Sequence, residues 1–179
     1  MREQKMKLFT ERLQLEPLGT KHYKTALLYS TDSENTKMMC FLPCDSGTEV
    51  MEYLKKCEIQ WQNNHPEYLD AAVILNGIHI GAVSIEFHEK GTVGEFGWII
   101  DKHYWGKGYA AEAAQGFMKY IKERFGVSRY IAHADAANSA SVRVMEKLGM
   151  ECRSIHGGRK NRNSQEERME CLYELIMVT

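Results

Sequence analysis

The chain contains no Cys-x-x-Cys pair, no His-Glu-x-x-His segment and no two histidines at helical spacing, so the usual ligand patterns of zinc sites are missing. Its five cysteines (Cys40, Cys44, Cys57, Cys152, Cys171) are odd in number, which argues against a disulfide framework and predicts reduced thiols, several of them buried. No apolar stretch approaches the ~20 residues of a membrane span. The opening MREQKMKLFTERL lacks the continuous apolar segment of a signal peptide. These absences predict a cytoplasmic protein with no metal and no membrane partner. A formal net charge of −1 provides no general attraction to nucleic acid, so partners must be recognised locally. Neither GxxxxGK[ST] nor the third glycine of a dinucleotide fingerprint occurs, which excludes the two commoner phosphate loops.

What is present is ordinary globular composition, 44% hydrophobic and 26% charged, over 179 residues: a single domain, 1–179, with room for a sizeable core. Residues 12–18 (RLQLEPL) alternate as a half-buried strand does. Two helical stretches follow at 21–30 and 49–63, the second stopped by Pro66. Three apolar runs at 70–75, 78–87 and 93–100 predict an antiparallel meander, its first turn marked by Asn76-Gly77, the pair favoured where both central residues need positive φ. Gly81, Gly94 and Gly97 interrupt these runs, as at a bulge or a close backbone approach, which could be to a ligand. A helix to about residue 125, a strand at 129–134, a helix at 138–148 and strands at 151–155 and 169–177 complete the chain. The last two are joined by a basic loop with Arg159, Lys160, Arg162 and Arg168. The order predicts an α+β sheet with one parallel pair. His133 and Asp135 alternate along the 129–134 strand and read as ordinary polar contacts of a strand face.

The most informative segment is HYWGKGYAAE, residues 103–112. Gly106 and Gly108 stand between the strand end Trp98, Ile99, Ile100 and a helix whose apolar residues Ala110, Ala114, Phe117, Met118, Ile121 and Phe125 recur at helical spacing. The first four N–H groups of a helix lack intrahelical acceptors, and the macrodipole adds positive charge, so an anion there is stabilised by roughly 0.3–2 kcal/mol. Amides from Gly106 through Lys107, Gly108, Tyr109 and Ala110 are therefore predicted to cradle a pyrophosphate. The alternative for the glycines is a tight turn, and for Lys107 a solvated lysine. Tyr104 and Trp105 could line a channel or cover the core, and Trp105 is expected in the core.

Together, DKHYWGKGYAAEA and NSASVRVMEKLGM resemble the GNAT superfamily of acetyl-CoA-dependent N-acetyltransferases, and within it the RimJ/RimL-like subgroup. The resemblance is specific over 95–150. It implies a GNAT fold, a central mixed, mostly antiparallel sheet of about seven strands flanked by about four helices, with acetyl-CoA as cosubstrate. His103 departs from the family's Gln or Arg at the first loop position. The resemblance further implies that Trp98–Ile100 splays from its parallel neighbour to pair with pantetheine, and that Asn138 bonds the pantetheine arm. Asn138 also reads as a helix N-cap, with Ser141 in the first turn. Met145 stands where many members carry an acidic tyrosine, which leaves Ser141 as the group to hydrogen-bond the leaving sulfur.

The reaction implied is direct attack of an amine on the thioester in a ternary complex. Glu95 is the leading candidate base and Glu86 the second, either being otherwise a solvent-facing strand carboxylate; a main-chain N–H near Ile100 is the candidate oxyanion donor. The basic loop is expected to contact a ribose phosphate or an acidic substrate, or to be simply exposed. A protein N-terminal α-amine is the expected acceptor, in a monomer or homodimer. A polyamine or aminoglycoside is the alternative, suggested by Glu49, Glu52, Glu58 and Glu67, and a non-catalytic acyl-CoA sensor is the other.

Overall fold

A computed structural model describes residues 6–177; the ends of the domain read over 1–179 lie outside the described residues. One eight-stranded sheet runs in the order β1-β2-β3-β4-β5-β6-β8-β7. Its strands are β1 Leu8–Phe9, β2 Leu13–Pro17, β3 Tyr68–Leu75, β4 Ile78–His88, β5 Val93–Ile100, β6 Arg129–Asp135, β7 Glu151–Lys160 and β8 Glu167–Ile176. Every neighbouring pair is antiparallel except β5 and β6. The strand beyond the expected seven is the two-residue β1, too short to show a period. The helices are α1 Tyr23–Thr31, the four-residue α2 Ser33–Thr36, α3 Gly47–Gln62, α4 Tyr109–Phe125 and α5 Ser139–Lys147. None of the described helices is long and apolar enough to cross a membrane.

The sheet buries both faces because successive side chains point opposite ways. Val83, Ile85, Phe96 and Tyr130 pack with Phe117 and Ile121 of α4 on one face. Ala72 and Ala82 pack with Ala26 of α1 and Val50, Leu54 and Cys57 of α3 on the other. α4 and α5 together span the first face, whereas α1 and α3 cover only the β2–β4 part of the second. Beyond them that second face lies open, and the cleft described below forms there.

Local chemistry explains most boundaries. The Asn76-Gly77 turn has φ of 49° and 80°, as a type I′ turn requires. α3 begins at Ser46, whose side chain accepts the Glu49 N–H, and α5 at Asn138, which accepts that of Ser141. The interior glycines make close approaches to the protein itself: a Cβ at Gly81 would collide with the Ile99 carbonyl, and one at Gly97 would lie 2.6 Å from Ser84 Oγ. The expected basic loop is mostly strand, because β7 extends through Lys160 and β8 starts at Glu167, leaving only Arg162 of the four basic residues between them. Trp105 is not core: it is 45% exposed, and its indole N–H donates to the Ile100 carbonyl at 2.7 Å. The short turn capped by Asp101 lifts it off the sheet end.

Candidate active site

The parallel pair β5–β6 is in register only at Val93↔Arg129, Gly94↔Tyr130 and Glu95↔Ile131. Past Glu95 the strands diverge, β6 remaining paired with β8 as far as Asp135. Phe96 to Ile100 thus present a free strand edge to the gap, and those backbone groups require partners. Two side chains reach the Ile100 carbonyl, Trp105 and the amide of Asn35 (3.3 Å), while Asn35 Oδ1 accepts the Lys102 N–H at 2.6 Å. The end of the strand is fixed by these bonds.

At the mouth of the gap stands the glycine loop. Gly106 and Gly108 have φ of 76° and 82°, the left-handed region, and Gly108 is the N-cap of α4. The first helical bond of α4 runs from the Glu112 N–H to the Gly108 carbonyl (3.1 Å), which leaves the amides of Tyr109, Ala110 and Ala111 without intrahelical acceptors. A clamp from the β1–β2 turn holds this loop. Arg12 donates to the Lys107 carbonyl (3.0 Å) and to Glu112 (2.7 Å), and its guanidinium lies over the Tyr109 ring. Burial would raise the Glu112 carboxyl, but the Thr10 hydroxyl, the Arg12 N–H and the Arg12 guanidinium hold it below the ordinary range. A hollow of about 470 Å³ beside the loop is lined by the cations Arg12, Lys107 and Lys147 and by the carboxylates Glu11 and Glu112, the latter bound by Arg12. Arg12 heads the strand pattern of residues 12–18, but that pattern assigns its side chain no role.

A second cleft, about 1250 Å³, runs from the loop through the gap onto the open sheet face. It gathers the predicted residues Glu86, Glu95, Trp98, Ile99, Ile100, Gly106, Gly108, Tyr109, Ala110, Asn138 and Ser141. Lys107 lines only the phosphate-side hollow. His103 borders neither; it is exposed and hydrogen-bonded to Asp101 at 2.7 Å. The Asn138 side-chain oxygen is occupied by the Ser141 N–H (3.1 Å), leaving its amide hydrogens for another partner. Met145 is fully buried, in keeping with a packing role.

The acceptor end of the cleft is acidic below and apolar above. Glu95 and Glu86 lie directly opposite one another on β5 and β4. Glu95 is bound on both oxygens, by His133 Nδ1 at 2.9 Å and His88 Nε2 at 3.1 Å. The hydrogen bond from His133 holds the Glu95 carboxyl below its ordinary range despite burial, and the same bond raises the His133 imidazole. His133 makes a polar contact of the strand face, as expected, and its ring also lines the cleft beside Glu95. Its partner was hidden because the contact depends on the β5–β6 register. Overhead, Met38, Met39, Phe41 and Leu42 form an apolar wall. Three of the four basic residues are committed to partners, while Lys160 is exposed: Arg159 donates to the Met38 carbonyl (3.0 Å) and Glu170 (2.6 Å), Arg162 pairs with Asp45 and Glu49, and Arg168 with Asp135.

Asp70 lies deeper, 4% exposed, accepting the Tyr53 hydroxyl at 2.7 Å. Burial pushes its carboxyl up to about 6, although Tyr53 and Cys57 pull the other way. The folded chain therefore retains a proton that the unfolded chain loses near pH ~4. The associated stability is complete below that pH and declines by roughly 2–3 kcal/mol as pH rises through about 6. Asp70→Asn is expected to remove this slope, so thermal melts of the variant gain on the wild type at pH ~8 and not at pH ~4.

The family model described as an acetyltransferase (GNAT) domain matches residues 12–151. The chain is 31% identical over 147 residues to YnaD, an uncharacterized N-acetyltransferase of Bacillus subtilis (strain 168), covering 81% of this chain and 82% of that one. It is 27% identical over 152 residues to the FsC-acetyl coenzyme A-N(2)-transacetylase of Aspergillus fumigatus, 80% of this chain and 64% of the relative. A GNAT-family acetyltransferase structure from Bacillus anthracis superposes with a TM-score of 0.80 at 26% identity, over 96% of this chain and 98% of that one. RimL, a ribosomal-protein alpha-N-acetyltransferase solved with coenzyme A, shares the fold with a TM-score of 0.86 at 14% identity, over the same shares.

Proposed function

The chain belongs to the GNAT acetyltransferase family and is an acetyl-CoA-dependent acetyltransferase, and we propose that its acceptor is a protein N-terminal α-amine, attacked directly in a ternary complex. One observation carries this reading. Of the carboxylates lining the cleft, Glu34, Glu49, Asp135 and Glu170 are ion-paired with Lys102, Arg162, Arg168 and Arg159, Glu95 is held by two histidines, and Asp70 is buried. Glu86 alone among them is exposed with no hydrogen-bonding or ionic partner among the described residues. A single uncompensated carboxylate suits one ammonium group, whereas a polycation requires several. The acidic residues that suggest a polyamine do not assemble: Glu52, Glu58 and Glu67 lie outside the cleft, Glu58 accepting from Thr20 and Glu49 from Arg162.

The energetics favour an α-amine. With a reference pKa of about 7.7–8.0, it requires about 1 kcal/mol to deprotonate at pH 7, where a lysine at about 10.4 requires more than 4. The apolar wall above the floor offers contact to a peptide's first side chains. RimL, whose fold this chain shares, is described as an alpha-N-protein acetyltransferase, which supports the same acceptor class. The amides of residues 106–111 hold the diphosphate of acetyl-CoA, with Arg12, Lys107 and Lys147 facing its anionic groups. The free edge of β5 beyond Glu95 receives the pantetheine and donates to the oxyanion, as preorganised N–H groups do. Asn138 uses its remaining amide hydrogens on the pantetheine arm. Ser141 hydrogen-bonds the departing sulfur, whose reference pKa near 8.5 makes strong acid assistance unnecessary.

Thiol release from acetyl-CoA, followed with peptides bearing free α-amines, N-acetylated lysine peptides, spermidine and an aminoglycoside, tests the acceptor class. The α-amine peptides are expected to turn over at least tenfold faster than the other amines. Faster turnover of spermidine or the aminoglycoside would overturn the reading, and tight acetyl-CoA binding with no thiol release from any amine would favour a sensor.

A further inference from the structure

We infer that His133 is the proton acceptor for the attacking amine, with Glu95 and His88 as positioning residues behind it; this rests on the acetyl-transfer reading above. The ring is placed by the fold. β6 continues past its last pairing with β5 at Ile131, so the side chain two residues on, on the same sheet face, sits where the gap opens into the acceptor cleft. Nδ1 is bound to Glu95 at 2.9 Å, which fixes the tautomer with hydrogen on Nδ1 and leaves Nε2 as the acceptor. Nε2 makes no hydrogen bond among the described residues. Glu95 cannot swing away, because its other oxygen is held by His88 at 3.1 Å.

The charge environment supports this division of roles. A carboxylate stabilised by two ring N–H donors is a weakened base, and Glu95 sits below its ordinary range chiefly through the His133 bond. His133 is raised, first by its bond to Glu95, against burial, with Glu170 of β8 adding to the rise and Arg159 of β7 opposing it. Glu86 and His88 on β4, Arg129 and Asp135 on β6, and Glu174 and Arg168 on β8 share this face; Asp135 is paired with Arg168, and Glu174 with Arg129 and Arg153. An imidazole raised above its ordinary value is better matched to an α-ammonium than a depressed carboxylate.

The step balances. His133 Nε2 takes one proton from the acceptor ammonium and later returns it to solvent. The freed nitrogen pair forms the C–N bond, the C–S bond breaks with its electron pair passing to sulfur, and a second nitrogen proton ends on that sulfur as the thiol.

Steady-state rates with an α-amine peptide between pH ~6 and ~9 test the assignment, together with NMR titration of the His133 ring in the protein without acetyl-CoA. His133→Gln is expected to lower kcat by about 10²-fold or more, with acetyl-CoA affinity within about twofold and partial rescue by added imidazole. His133→Asn provides a second, smaller replacement should the first disturb folding. Glu95→Gln is expected to move the His133 titration to lower pH, and Glu86→Gln to raise the peptide KM while leaving the pH profile in place. If both His133 variants bind acetyl-CoA normally and keep kcat within about threefold with an unchanged profile, the inference is wrong. Inactivity of the wild type toward every amine would instead overturn the functional reading it rests on.

Discussion

Gly108→Val is expected to weaken acetyl-CoA binding by about 10²-fold or more while leaving the domain folded. Gly108 has φ of 82° and ψ of 4°, a region that costs a residue with a Cβ ~1–2 kcal/mol and a β-branched one more. Space is not the obstacle, since the nearest atom to an added Cβ is the Arg12 guanidinium at 3.5 Å. The chain relieves the strain by rotating the peptides around residue 108, and those peptides carry the amides proposed to hold the diphosphate. A hydrogen bond to a charged group contributes ~1.5–3 kcal/mol, so losing two produces at least the stated effect. The hydrophobic core does not pass through this loop, so far-UV circular dichroism and Tm should change little. Titration calorimetry with acetyl-CoA reads the affinity, and an unchanged Kd would place the cradle elsewhere.

Asp135→Ala is expected to lower Tm by on the order of 10 °C and to raise the acceptor KM. Asp135 is 1% exposed and accepts from Asn161 (2.8 Å), the Ala137 N–H (2.9 Å) and Arg168. Asn161 is itself 2% exposed, so removing the carboxylate strands a buried amide and releases a guanidinium. Stranding the Asn161 amide and the Ala137 N–H costs ~1–3 kcal/mol each, the partly exposed Arg168 turning to water, and a domain of this size loses ~2–4 °C per kcal/mol. The functional effect follows from position, because the same hairpin supports the apolar wall: the Arg162 N–H donates to the Met39 carbonyl at 2.9 Å and Arg159 to that of Met38. Burial alone would raise the Asp135 carboxyl, but Arg168, the Ala137 N–H and Asn161 together lower it. Its stabilisation is therefore present above the ordinary aspartate range and lost as pH falls through the lowered value, which the variant should no longer show. Differential scanning calorimetry across acid pH measures both, and a Tm within about 2 °C of the wild type would contradict the role assigned to this hub.

The parts of the site legible in the sequence are those built from neighbours along the chain. Gly106 and Gly108 ahead of an apolar period of 3.6 marked the strand, loop and helix of the cradle. The span expected for β5 agrees with Val93–Ile100, and the Asn76-Gly77 turn lies where expected. The parts that stayed hidden join residues far apart. Arg12 reaches Glu112 across 100 positions and Arg159 reaches Met38 across 121, so neither leaves a local pattern. The basic cluster at 159–168 reads as a ribose-phosphate or acidic-substrate contact, or as exposed, for the same reason: its partners Asp45, Glu49 and Asp135 lie elsewhere in the chain. Glu95 and His133 illustrate an intermediate case. Glu95 reads from the sequence as the leading candidate base and His133 as an ordinary strand-face contact, and only the parallel register Glu95↔Ile131 brings the His133 ring onto the Glu95 carboxylate.

In the proposed complex the amides of residues 106–111 grip the diphosphate of acetyl-CoA, and the gap between β5 and β6 directs its acyl end toward Glu95 and His133. A crystal structure of the acetyl-CoA complex tests it most directly. The account predicts diphosphate oxygens within hydrogen-bonding distance of those amides, and the thioester between Glu95 of β5 and His133 of β6. A nucleotide bound elsewhere, or a thioester outside the β5–β6 gap, would contradict it.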